Sequence, residues 1–226
     1  MQRKNIVLCI AVGLFIIDFI VAAISPVNRF VWAFYVALPV ILLLGLAATY
    51  QRFKFTAMVY WLLLFMCFMF FYAGHYTLAD VPFGQWMKGW FGFERNNYDR
   101  LLLLAFGFFP SIAVRELIIR KTALKRGKML FFLVVCVLGA GSVLFLFAQW
   151  WVSYFVGDAT YSALAGAQGD VWYAQWDMTM AFAGAILGQA CLMHLHRYFL
   201  KDEGFLEENQ GKTVLKKGGF SNKRHK

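Results

Sequence analysis

The chain is 226 residues long, 61% hydrophobic and only 15% charged, with a mean hydropathy of +0.60. Soluble domains run at roughly 45–50% apolar and about 25% charged, so this composition excludes an ordinary soluble domain and implies an integral membrane protein. The net charge of +10 comes from 22 Lys and Arg against 12 Asp and Glu, and it requires a nucleic-acid partner only if membrane topology leaves it unexplained.

An α-helix rises about 1.5 Å per residue, so roughly 20 apolar residues cross a hydrocarbon layer of about 30 Å. Six stretches are that long, and they predict spans at residues 6–24, 30–50, 55–73, 101–119, 129–151 and 172–195. The first follows "MQRK" and ends near "AAIS", as a cleaved signal peptide would. Its apolar run is longer than a signal-peptide core of about 7–15 residues, so an uncleaved helix is expected. Asp18, toward its outer end, is expected to reach the surface or to pair with Arg29 or Arg100. Pro39 and Pro110 predict kinks in the second and fourth spans. Arg115 and Glu116 end the fourth span, where long stems can snorkel to the interface.

Of the 22 Lys and Arg, 18 fall at one side of these spans, and only Arg29, Lys88, Arg95 and Arg100 at the other. The positive-inside rule then puts both termini in the cytoplasm and explains the charge with no nucleic acid involved. The fold class expected is all-α: a polytopic bundle of six transmembrane helices over residues 1–200, with outward loops at 74–100 and 152–171. Residues 201–226 form a basic tail, predicted to be disordered and drawn to anionic lipid by roughly 1 kcal/mol per basic residue. Cys9, Cys67, Cys136 and Cys191 all lie within spans and suggest no disulfide framework.

The outward loops hold the unusual residues. In the first, Trp86, Trp90, Phe91 and Phe93 are spaced to lay an aromatic face on the membrane surface. At its end, in "RNNYDRLLLL", Asn96 and Asp99 have the spacing of a capping box, and Arg95 and Asp99 that of an i,i+4 pair. In the second loop Asp170 reads as an N-cap, with Trp172 and Trp176 on one face and Asp177 about 10 Å deeper. An ionised carboxylate at that depth needs a partner, water or a metal. His194 and His196 are two apart and unsuited to a shared metal. Gly184 and Gly188 with Ala181 and Ala185, and Gly139–Ser142, predict close contact between spans five and six, or between copies in a homodimer. No P-loop, GxGxxG, HExxH, CxxC pair or GxSxG occurs.

The blocks "AGHYTLADVPFGQW", "FGFERNNYDRL", "PSIAVRELIIR", "FFLVVCV" and "GAQGDVWYAQWDM" run in order from about residue 72 to 196, and they resemble the YjdF family of bacterial inner-membrane proteins. The resemblance implies an inner-membrane location and a multi-pass topology more than a reaction. Departures from the family pattern stand at Asn97 and Leu103, where it has histidines, at Leu146 and Gln149, where it has glutamates, and at Tyr173, where it has an aspartate.

Three functions compete. A membrane enzyme would use His75, Asp99, Asp170 and Asp177 as bases, acids or ligands, with Arg95 and Arg100 holding an anionic headgroup or phosphate. Its metal candidates are His75, Asp170 and Asp177, and the cofactor a divalent ion. A small transporter needs polar residues lining a path through the bilayer, and the central thirds of the spans have almost none. A structural bundle that binds lipid or a partner protein through its outer cap makes the fewest demands and ranks first. The enzyme requires His75 and the three aspartates to converge. The structural reading expects Asp99 and Asp170 to serve as caps and His75 to bond backbone.

Overall fold

The computed structural model describes residues 2–209 and 212–215. Nine helices follow one another among the described residues: α1 (Gln2–Ala23), α2 (Arg29–Thr49), α3 (Ala57–Tyr76), α4 (Pro82–Phe91), α5 (Tyr98–Phe108), α6 (Pro110–Lys121), α7 (Lys128–Ser153), α8 (Asp158–Ala165) and α9 (Tyr173–Asp202). Five segments are long and apolar enough to cross a membrane: Arg29–Thr49, Ala57–Tyr76, Tyr98–Lys121, Lys128–Val152 and Tyr173–Asp202. Cys9–Ala23 is a shorter apolar helix beside them. The all-α polytopic bundle expected from hydropathy is the fold observed.

The chain runs back and forth, so the helix ends fall on two faces. One, the loop face, carries the ends of α1, α3 and α7, the starts of α2, α5 and α9, and the short helices α4 and α8. The other is the basic face. Local chemistry sets the boundaries. Asn28 Oδ1 accepts from the backbone N–H groups of Phe30 (2.9 Å) and Val31 (3.1 Å), which starts α2. Pro82 opens α4, where a missing N–H costs nothing, and Gly92 closes it in the left-handed conformation at φ 66°. Pro110 divides α5 from α6 within one span, while Pro39 sits inside an unbroken α2.

The core is aromatic and draws on most of the long helices. Tyr35, Phe70 and Phe71 are fully buried, with Phe15 edge-on to Phe71 at 5.1 Å and Phe145 edge-on to Phe70 at 5.7 Å. The most extensive helix contact is α5 against α9. There a Cβ on Gly107 would collide with the Ala181 carbonyl, one on Gly184 with the Leu104 carbonyl, and one on Gly188 with the Phe108 carbonyl. The small-residue stripe of α9 therefore packs on α5 rather than chiefly on α7. It is buried within the chain instead of being offered to a second copy, with Ala181 and Ala185 both fully buried. Helix α7 does touch α9, where the Phe182 ring fills the space above Gly139.

On the basic face Glu116 does not snorkel. It is fully buried, and its oxygens accept from Thr56 N (3.1 Å), Thr56 Oγ1 (2.8 Å) and Arg120 (2.5 Å), with His196 Nε2 at 3.2 Å. Burying a carboxylate is tolerable only when both oxygens are met this way. Helix α9 continues to Asp202, past the expected end of the last span. Strands Leu206–Asn209 and Lys212–Leu215 then pair antiparallel within the segment expected to be disordered. Residues 210–211 and 216–226 of that tail lie outside the described residues.

Candidate functional site

The loop face gathers two features around α5: a polar cap on one side and an apolar groove on the other.

The cap is built by α5, α9 and the segment between α8 and α9. Arg95 reaches across to that segment, donating from Nη1 to the carbonyls of Gly166 (2.9 Å) and Ala167 (3.1 Å), and from Nη2 to Asp99 Oδ2 (2.6 Å). Arg100 Nη2 donates to Asp170 Oδ2 at 2.7 Å, and its guanidinium stacks 5.0 Å from the Trp176 ring. Arg95 also stands 3.7 Å from Asp170. The hydrogen bond from Trp172 N, aided by Arg100 and Arg95, holds the Asp170 carboxyl below the usual aspartate range.

A second strap fixes the same loops. Asn96 N donates to Gln168 Oε1 (3.1 Å), and Gln168 Nε2 returns to Asn96 O (2.8 Å) and Gly166 O (3.2 Å). These bonds hold Gln168 at φ 48°, a conformation that costs a non-glycine residue roughly 1–2 kcal/mol. Asn96 also ties the start of α4 to α5, donating to the carbonyls of Ala79 and Val81 and accepting from Tyr98 N.

Arg95 and Asp99 thus pair as their spacing predicts. The capping box does not form, because Asn96 is committed to the α4 entry and its own N–H goes to Gln168. Asp170 accepts from Trp172 N at 2.9 Å and makes a turn ahead of α9, which starts three residues later at Tyr173. Among the described residues Asp18 makes no ion pair, and Arg100 is engaged by Asp170. His75 is apart from the aspartates: its Nδ1 stands 3.1 Å from the Ala22 carbonyl at the end of α1. Among the described residues no three His, Cys, Asp or Glu side chains are grouped to hold a metal, so His75, Asp170 and Asp177 are not brought together as a ligand set.

Beneath the cap lies a cluster of buried polar side chains that spacing alone does not reveal. Tyr35 Oη donates to the Leu164 carbonyl of α8 at 2.8 Å, and Gln149 Nε2 donates to Tyr35 Oη at 3.0 Å. Asp99 and Asp177 are close enough for their charges to act on this hydroxyl. Asp99, Gln149 and Asp177 are all at most 1% exposed, and each keeps one oxygen that meets no donor.

The groove lies across α5 from the cap, with a volume of about 730 Å³. Its walls are Phe65, Phe68, Met69 and Tyr72 of α3, Phe83, Trp86 and Met87 of α4, and Tyr98, Leu101, Leu104, Ala105, Phe108 and Phe109 of α5 and the turn after it. The Tyr98 hydroxyl donates to the Met69 carbonyl at 3.1 Å, so it presents no unpaired donor. Helix α4 roofs the groove and leaves Trp86, Trp90 and Phe91 between 59% and 72% exposed, the aromatic face that the sequence spacing predicts.

Residues 7–198 match the family model described as "Predicted membrane protein (DUF2238)". The chain belongs to this family. It is 32% identical to the inner membrane protein YjdF of Escherichia coli (strain K12) over 187 residues, which is 83% of this chain and 89% of the relative. No solved structure matches. Leu103 and Gln149 are at most 1% exposed, and Leu146 is also buried. Tyr173, by contrast, shares a hydroxyl contact of 2.6 Å with Tyr161 of α8.

Proposed function

We propose that this multi-pass membrane protein is a lipid-binding helix bundle of the inner membrane, with both termini cytoplasmic and the loop face outward. The excess of Lys and Arg at the opposite helix ends supports that orientation. One acyl chain of a membrane lipid occupies the groove between α3, α4 and α5, and the polar cap keeps α5 and α9 in the register that holds the groove open.

The observation that carries this reading is the groove itself. Its volume of about 730 Å³ falls in the range of small-molecule sites, its lining is almost wholly apolar, and it opens on the flank of a bundle with five membrane-length helices. Trp86 and Trp90 on its roof are the residue type that settles at the headgroup level. His75 bonded to backbone, and Arg95 and Arg100 neutralised by aspartates, leave little for an enzyme of the kind considered above. The test is native mass spectrometry of the full chain from mild detergent. Bound lipid is expected on the parent and lost in Leu104→Trp and Met87→Trp, which fill the groove. Retention should be unchanged in Leu144→Trp, on an exposed face of α7. Equal retention in all four proteins would remove the groove as the site.

The donorless oxygens of Asp99, Asp177 and Gln149 favour a second reading, an acid–base site closed beneath the cap. Infrared difference spectra of the parent and Asp177→Asn test it. A protonated carboxyl band present only in the parent supports it, and identical spectra in that region count against it.

A further inference from the structure

The basic face contains a cavity of about 660 Å³ where α6, the start of α7 and the last turns of α9 meet. Arg115, Arg126, Gly127, His194, His196 and Arg197 line it, with no carboxylate among its described wall residues. Arg115 is only 6% exposed and has no hydrogen-bond or ion-pair partner among the described residues. Arg126 keeps a buried Nη2 with no acceptor. Burial and the neighbouring charge of Arg197 lower the Arg126 pKa, as expected where guanidinium groups crowd together.

Helix α7 adds to this field. It runs 26 residues from Lys128, its N-cap Gly127 offers no side-chain acceptor, and its first turn has no acidic residue. The free N–H groups and positive end of the helix dipole are therefore left uncompensated. A Cβ at Gly127 would meet nothing within 4 Å, so the backbone is open to a ligand there. Glu116, which meets the wall residue His196, is already engaged by Thr56 and Arg120 as well. Buried guanidinium groups without carboxylates, grouped at a helix N-terminus, match the recognition chemistry of a phosphate group.

We infer that the cavity between α6, α7 and α9 is a phosphate-binding site, occupied by a phosphorylated lipid headgroup or a free phosphate at the basic face. It lies at the opposite end of the bundle from the apolar groove and stands or falls independently of it.

The experiment measures thermal stability of the full chain in phosphate-free detergent, with two pairs of conditions. One compares sodium phosphate with sodium chloride at equal ionic strength. The other compares mixed micelles of short-chain phosphatidic acid with diacylglycerol of the same chains, which differ only in the phosphate. Two variants accompany the parent. Arg115→Gln removes the buried guanidinium. Gly127→Asp places a carboxylate at the α7 N-cap, which fills the site while satisfying the helix end, so it keeps the fold.

A midpoint raised by phosphate over chloride assigns the site to a soluble anion, and one raised only by phosphatidic acid assigns it to a lipid headgroup. In either case the half-saturating concentration is expected to rise about ten-fold or more in Arg115→Gln, and the response to vanish in Gly127→Asp. No specific response in the parent, or an equal response in folded Gly127→Asp, would overturn the inference.

Discussion

On one side of α5, Arg95, Asp99 and Arg100 are locked to the carbonyls of Gly166 and Ala167 and to Asp170. On the other, Tyr98, Leu101 and Leu104 face a groove that no other described part of the chain fills. Four of the residues that look most chemical in the sequence, Arg95, Asp99, Arg100 and Asp170, pair with one another and hold helices together. The residues that looked like ordinary membrane-span filler shape the open space. In a membrane protein a cluster of charge at a helix mouth is as readily a fastener as a reaction centre, and what distinguishes the two is whether each charge already has its partner.

The largest expected effect comes from breaking the fastener. Arg95→Ala leaves Asp99 buried without its counterion and frees two carbonyls, and it should cost about 3–5 kcal/mol, read as a lowered unfolding midpoint in detergent. A loss under about 1 kcal/mol would mean the cap does not hold α5. Next comes the third side of α5, against α9. Gly184→Ala drives a methyl into the Leu104 carbonyl and should cost about 1–3 kcal/mol. Gly45→Ala, where a Cβ meets nothing within 4 Å, should instead stabilise its helix by roughly 0.5–1 kcal/mol. Similar effects at both positions would show that α9 does not pack on α5 this closely.

Filling the groove should scarcely disturb the fold. Leu104→Trp is expected to change stability by less than about 1.5 kcal/mol while it removes bound lipid, because the added ring enters open space. A large destabilisation would mean that the groove is part of the packed core. The smallest effect is electrostatic. The Asp170 carboxyl titrates below its ordinary range in the folded chain, so its pairing stabilises at neutral pH and is lost as pH falls through that lowered value. The gap in unfolding midpoint between the parent and Asp170→Asn should therefore close on strong acidification. A gap that persists would assign the effect to something other than the charge.

The membrane helices were legible because hydropathy over roughly 20 residues reports directly on span length. The Arg95–Asp99 pair was legible for a similar reason, since i,i+4 contacts are local. What escaped was everything carried across the sequence. Arg100 meets Asp170 from 70 residues away, and Glu116 meets His196 from 80, so neither spacing marks them. The Asn96 capping box looks sound locally and loses to three long-range bonds, all donated by Asn96, to Ala79, Val81 and Gln168. The glycines of α9 signal close packing, and α7 does meet α9 as expected, but small residues do not name every partner, and the closest approach is to α5. The short helix α8 lies hidden in the outward loop at 152–171, and with it the carbonyl that receives the Tyr35 hydroxyl.

The central claim, that lipid sits in the groove rather than only around the bundle, is tested most directly by photolabelling. The full chain would be reconstituted in vesicles containing a phospholipid with a photoreactive acyl chain, and labelled peptides mapped after illumination. The account predicts labelling concentrated on the walls of the groove, at Phe68, Tyr72, Met87 and Leu104, and suppressed by Met87→Trp. Labelling spread evenly over the exposed faces of α2, α7 and α9, unchanged in that variant, would contradict it.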